Sequence, residues 1–281
     1  MKATSFLPLV LLGSASAANL MLDFGSSSAV ASPYLNLSPA HDAGAIPATS
    51  TSWNTISSSA DRSDLSYADG NAALGVTLNL GQESTAGSGT VSFATEITNL
   101  SLAGSGGAVP GQQNLLTAGS IYGDDSSSTA AGRDGIFGSG SSSAGSAAGL
   151  RIDGLAAGVY ELYVMARNTN TNAAEVPMIA YAGAGALSGT FDYSGLAGMT
   201  QSNPGYPSAT YAGEYGSFVN GENFVKLGVT VADGDSIYVV IDGAGSDSRG
   251  FVNMVQVVGV PEPSALLLTL LGGGFFLRRR R

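Results

Sequence analysis

The chain has no cysteine, one histidine, one tryptophan and few bases, and each scarcity removes a class of function. Without cysteine there is no disulfide framework, even in a compartment that would permit one. Stability must come from a hydrophobic core, helped at most by bound ions. A single His and no Cys cannot supply the nitrogen and sulfur ligands of a structural zinc site. His41, in the loop Pro39-Ala40-His41-Asp42, would have to be the base of any serine-hydrolase triad. No Gly-x-Ser-x-Gly elbow accompanies it, so it reads as a surface loop histidine. The Gly-rich stretches Gly104–Gly107 and Gly138–Gly145 do not follow a strand in the phosphate-loop register, which sets nucleotide binding aside.

Basic residues number 11 against 21 acids, and Lys2, Arg278, Arg279, Arg280 and Arg281 lie in terminal stretches. The body keeps only Arg62, Arg133, Arg151, Arg167, Lys226 and Arg249. So acidic a surface argues against nucleic acid, whose phosphates need basic partners. It suits a solvated extracellular protein that meets divalent cations. Charged residues are only 11% of the chain while glycines number 40, which is not the composition of a helical bundle. The expectation is an all-β body with Gly-rich turns.

What is present begins with two terminal signals. Lys2, the apolar run Phe6–Leu12 and the small-x-small site Ala15-Ser16-Ala17 make a secretory signal peptide over residues 1–17. At the other end, Val260, Pro261, Glu262 and Pro263 form a rigid tether that can continue neither strand nor helix, because each Pro fixes φ and lacks an N–H. An uncharged run from Ala265 to Leu277 follows, then four arginines. That run is shorter than the ~20 residues of a relaxed spanning helix, which marks it as a temporary or marginal membrane anchor. The arginines would stay on the cytoplasmic side as a stop.

In that order of motif, apolar run and Arg cluster, residues 260–281 resemble the PEP-CTERM sorting tail, also known as the ice-binding-protein C-terminal domain. The resemblance implies a tail helix read by an exosortase, a membrane-embedded transpeptidase that cuts near Pro-Glu-Pro. The product would go to the envelope, surface or extracellular matrix of a Gram-negative-type bacterium that makes exopolysaccharide. The competing reading is an ordinary C-terminal anchor that is never cut.

Residues 18–259 read as the body. Leu20–Phe24 is a short strand; Trp53–Ile56 and Val91–Ile97 are others. Leu74, Val76, Leu78 and Leu80 alternate with small or polar residues, as a half-buried strand does. Gly104 to Gly149 reads as long loops with short elements at Ile121–Tyr122 and Ile136–Phe137. Val159–Arg167, Val176–Tyr181, Thr190–Tyr193 and Phe251–Val258 are further strands. Val225–Val231 and Ile237–Ile241 flank Asp233-Gly234, the signature of a hairpin. Such short strands with turn signals point to a β-sandwich. The segments Asp23-Phe24-Gly25, Trp53-Asn54-Thr55-Ile56, Gly154-Leu155 and Phe251–Val257 are loosely similar to jelly-roll bodies of the galactose-binding or malectin-like kind.

Candidate chemistry is sparse. Asp124, Asp125 and Asp134, or Asp242 and Asp247, are acids in Gly-rich loops of the kind that offer oxygen ligands to calcium. Trp53 with Asn54, and a tyrosine group including Tyr193, Tyr206, Tyr211 and Tyr215, carry the aromatic faces that stack on sugars. Paired acids such as Asp233 and Asp235 flank a turn glycine, where Asp is favoured for turn chemistry. The reading is therefore a non-enzymatic, tail-sorted envelope protein with a structural or adhesive body. Its alternatives are a carbohydrate-binding module for exopolysaccharide or another glycan, and a polysaccharide-acting enzyme.

Overall fold

The computed structural model describes residues 19–25, 29–47, 49, 51–100, 121, 130–168, 176–203 and 217–261. All strands and helical turns described fall within the compact unit Ala18–Val260. The strands are β1 (Asn19–Phe24), β2 (Asn54–Ile56), β3 (Thr77–Glu83), β4 (Thr90–Ser92), β5 (Ile136–Phe137), β6 (Gly140–Ser141), β7 (Ala144–Gly145) and β8 (Ala148–Asp153). They continue with β9 (Gly158–Met165), β10 (Met178–Ala186), β11 (Thr190–Asp192), β12 (Met199–Gln201), β13 (Val225–Val231), β14 (Asp235–Gly243), β15 (Phe251–Val252) and β16 (Met254–Val260). Among the described residues, one helical turn, α1 (Pro39–Asp42), and a 3-10 turn at Tyr34–Asn36 accompany regular structure that is otherwise all β-strand. Among the described residues no helix is long and apolar enough to cross a membrane.

Two large sheets carry the fold. Sheet A has the order β13-β9-β16-β1-β2, antiparallel except for the parallel pair β1 and β2. Sheet B is antiparallel, in the order β11-β4-β3-β8-β14-β10-β12. Strand alternation explains how they meet. On β14, Ile237, Val239 and Ile241 join the main core while Tyr238 and Val240 point the other way. On β9, Tyr160, Leu162 and Val164 enter that core while Tyr163 and Met165 do not. Leu20, Leu22, Phe24, Ile56, Val255, Val257 and the β13 row Val225, Leu227, Val229 and Val231 add to sheet A's contribution; Leu78, Leu80, Leu150, Ile152, Met178 and Ala180 belong to sheet B's. Each such aliphatic side chain contributes about 2 kcal/mol by leaving water.

Both outer faces are covered too. Over sheet A lies the segment 29–47, whose Tyr34, Ala40 and Ile46 pack on Met21, Met165, Met254 and Val258. It is pinned by the buried Gln256, which accepts from Ala40 N at 3.1 Å and donates to Ser38 Oγ at 2.6 Å. Over sheet B curl its own strands β4 and β11. The approach is possible because Gly81 and Gly149 are register partners with no side chains. A Cβ on Gly149 would lie 2.5 Å from Val91 Cγ1, and one on Gly81 would lie 2.4 Å from Ser92 O.

Several sequence expectations change. The Asp233-Gly234 turn, with Gly234 at φ +79, does not close a hairpin. β13 pairs with β9 in sheet A and β14 with β8 and β10 in sheet B, so the turn crosses between sheets. The apolar rows of both strands face the same core, and stacking buries them where pairing would leave one row outside. Leu74 is not a strand residue: β3 begins at Thr77, and Leu74 stands exposed in the preceding turn. The strand expected over Val91–Ile97 is only Thr90–Ser92, while Ile97 returns to the main core. The loop expected around His41 contains α1, capped by Ser38.

Gly149→Ala should displace β4 and cost about 1–3 kcal/mol of stability, the usual cost of overpacking. Gly228→Ala, where a Cβ meets nothing within 4 Å, should leave stability unchanged or slightly higher. Urea denaturation of the two variants checks the difference.

Candidate functional site

The residues singled out in the sequence fall in different places. Val260 ends β16 and Pro261, which has no N–H to extend the ladder, follows it. Glu262, Pro263, Arg278, Arg279, Arg280 and Arg281 lie outside the described residues, as do Tyr206, Tyr211, Asp124 and Asp125. Trp53 is half-buried between two apolar clusters, and its indole N–H donates to Leu35 O at 2.9 Å. The ring packs against the cover of sheet A and its N–H helps to hold that cover.

Asp134 is buried, and the fold brings Asp23 to it, a partner the sequence reading missed. The segments that follow them touch backbone to backbone: Gly25, just after β1 and at φ +108, lies so close to Gly135 that a Cβ on Gly25 would come within 2.5 Å of the Gly135 N and O. Asn253 fastens the same junction, donating to Asp134 O at 2.7 Å and accepting from Arg167 N at 2.6 Å. Burial, and then the charge of Asp134, push the Asp23 carboxyl well above the ordinary carboxylate range. Its Oδ1 has no hydrogen-bond partner. Among the described residues no group of three or more His, Cys, Asp or Glu side chains is placed to hold a metal.

A second acidic cluster lies where β4 and β11 fold over sheet B. Glu83, at the end of β3, is buried and accepts from Gly87 N at 2.9 Å, Gly89 N at 2.8 Å, Ala147 N at 3.2 Å and the Tyr193 hydroxyl at 2.8 Å. It ties the β3–β4 turn, the residue that leads into β8 and the residue that follows β11 into one knot. The same hydroxyl lies 3.5 Å from Asp242 Oδ2 on β14. Burial first, then Glu83's charge, push Asp242 up to about 6. Burial and the charge of Asp242 also raise the Tyr193 phenol, which keeps its proton as a donor. Tyr181, half-exposed on β10, packs its ring 4.9 Å from that of Tyr193 at a tilt of 48°. Glu83 is sealed by backbone donors, so Asp242 and Tyr181 are the members of this cluster that meet solvent. Aromatic face beside half-buried acid is the chemistry that grips a sugar's apolar face and its hydroxyls.

The sequence offered little sign of this cluster. Glu83 and Tyr193 are 110 residues apart, and only the fold-over of β4 and β11 joins them. His41 is likewise more than a surface residue: its Nδ1 meets Ser38 Oγ and its Nε2 lies 2.8 Å from Thr51 Oγ1. Burial lowers its pKa. Ser38, the N-cap of α1, is buried and held by Gln256, so this Ser–His contact braces the cover of sheet A.

Glu83→Gln places an amide donor against backbone donors and should cost about 2–3 kcal/mol, the penalty for unsatisfied buried groups. The raised Asp242 means the folded chain holds more protons than the unfolded one between its ordinary 3.8 and about 6. Its contribution is therefore present at low pH and is lost as pH rises through that window. Asp242→Asn should flatten the fall in stability across it, read by urea denaturation at stepped pH.

Comparison with models of known protein families and with curated proteins finds no match to this chain.

Proposed function

We propose that the chain is an exported protein of the bacterial envelope or extracellular matrix, sorted through residues 260–281 by an exosortase-type membrane transpeptidase. Its body is read as a jelly-roll-like β-sandwich with a structural or adhesive role. The observation that carries this reading is the junction: the last strand of the body ends at Val260, and the Pro-Glu-Pro motif begins at the next residue. A peptide bond must be extended and accessible to be cut. A Pro-x-Pro sequence favours both, because neither proline can donate to a sheet. The apolar run and the arginines beyond it would hold that bond beside a membrane-embedded enzyme.

A second reading, glycan binding by the body, is favoured by Tyr181 standing beside Asp242 on the outer face of sheet B. An acidic, cysteine-free body suits either role outside the cell.

Replacing Pro261 and Pro263 together by Ala should leave an uncut form in the inner membrane, seen by fractionation and immunoblotting. Normal maturation of that variant would count against the sorting reading. Affinity electrophoresis of the chain through gels containing the producer's exopolysaccharide addresses the body. Retardation lost in Tyr181→Ala supports glycan binding, and free migration of the unaltered chain favours the structural role.

A further inference from the structure

We propose that the end of the body from which the tail departs is a membrane-facing surface, which rests on zwitterionic lipid headgroups while the tail is attached. The inference rests on the reading of Ala265–Leu277 as a membrane anchor and adds a role for the body itself. Six large hydrophobic side chains are exposed among the described residues, and four of them, Leu74, Val159, Leu187 and Val260, belong to one end of the two sheets.

The topology fixes that grouping. β9 starts and β16 ends there, with Val159 and Val260 as register partners that are 42% and 39% exposed. The turns from β8 to β9 and from β13 to β14 both cross between the sheets at this end. Leu187, 63% exposed, follows Ala186, the register partner of Asp235 at the start of β14. Leu74, 87% exposed, precedes Gly75, whose carbonyl packs against Gly154 in the β8–β9 turn. The remaining two lie elsewhere: Leu196 over β10 near Gly183, and Val219 in the approach to β13 at the opposite end. Clustered exposed apolar groups on an otherwise polar body mark an interaction surface.

The occupant follows from where the chain leaves. Pro261 to Ser264 separates the body from the apolar run, and four residues span at most about 14 Å. A membrane-inserted tail would therefore hold this end beside the headgroup layer, where even a weak apolar contact is populated by its high effective concentration. The surrounding charge selects the lipid. Asp69 and Asp233 are exposed and Asp235 half-exposed, and none of the three is ion-paired among the described residues. The arginines of this end, Arg62 and Arg151, are already paired with Asp64 and Asp153. Anionic headgroups would be repelled, whereas zwitterionic ones would not.

Because the chain has no cysteine, single labels report without background. The full chain, reconstituted in phosphatidylcholine vesicles that carry a headgroup-level quencher, would be labelled with an environment-sensitive probe in Leu74→Cys, Leu187→Cys, Val219→Cys and Leu268→Cys. The expected result is quenching and a blue shift at positions 74 and 187, neither at 219, and an apolar environment at 268. Adding phosphatidylglycerol should reduce the signal at 74 and 187. An apolar signal at 268 with 74 and 187 behaving like 219 would overturn the docking surface and leave the anchor standing. A solvent-like signal at 268 would remove the anchor, and the docking surface with it. A blue shift at 74 without vesicles would instead assign the surface to a second copy of the chain and overturn the lipid assignment.

Discussion

The apolar layer shared by the two sheets is the constraint on which the other features depend. No covalent cross-link is available, so the rows Leu20-Leu22-Phe24, Leu162-Val164 and Val255-Val257 from one sheet must meet Leu78-Leu80, Leu150-Ile152 and Ile237-Val239-Ile241 from the other. Strand periodicity then sends a second row outward from each sheet, and several of those residues are also apolar: Met21, Tyr163, Met165, Tyr238 and Val240. A sheet with two apolar faces needs two covers. The segment 29–47 supplies one and the curled strands β4 and β11 supply the other.

Covering a sheet with backbone instead of a helix demands close approach, and glycine supplies it at particular points. Gly81 and Gly149 sit side by side beneath β4, and Gly25 meets Gly135 where Asp23 and Asp134 come together. Polar side chains then fasten what the apolar contacts bring near. Gln256 holds the cover of sheet A, and Glu83 gathers backbone donors from two segments and the Tyr193 hydroxyl from a third around one carboxylate. These buried groups stabilise only because each is satisfied; an orphaned partner would cost more than the bond is worth. Asp23 is different, a buried carboxyl whose neutral form is favoured by its surroundings.

The division of labour between body and tail has the same physical basis. β16 ends at Val260, and Pro261, which has no N–H to donate, follows it, so the ladder stops where the proposed sorting motif starts. That end carries the exposed side chains of Leu74, Val159, Leu187 and Val260, with the exposed Asp69 and Asp233 at the same end. Meanwhile the half-exposed Tyr181 and Asp242 lie on the outer face of sheet B, away from the tail's point of departure. A body held through one end would keep that face open to the matrix.

Much of the strand content was legible in the chain itself. Alternation in Val225–Val231 and Ile237–Ile241, and the turn chemistry of Asp233-Gly234, act over a few residues and so appear in any window that contains them. The expected terminal signals rest on equally local features, since charge, apolar length and proline spacing are read within a few residues. What those windows lacked was partnership. Asp233-Gly234 looked like a hairpin because both flanks alternate, yet only the shared core decides that they stack instead of pair. The contact of Trp53 with the segment 29–47 and the approach of Asp23 to Asp134 join residues that no such window contains together. By itself the sequence determined an all-β, cysteine-free, acidic body, because composition and short-range periodicity are sums over neighbours. The tertiary structure alone decided which carboxylates are buried, which aromatics meet solvent and which end is apolar. Those depend on contacts such as Tyr193 with Glu83 and Gln256 with Ser38, 110 and 218 residues apart, that only the folded chain makes.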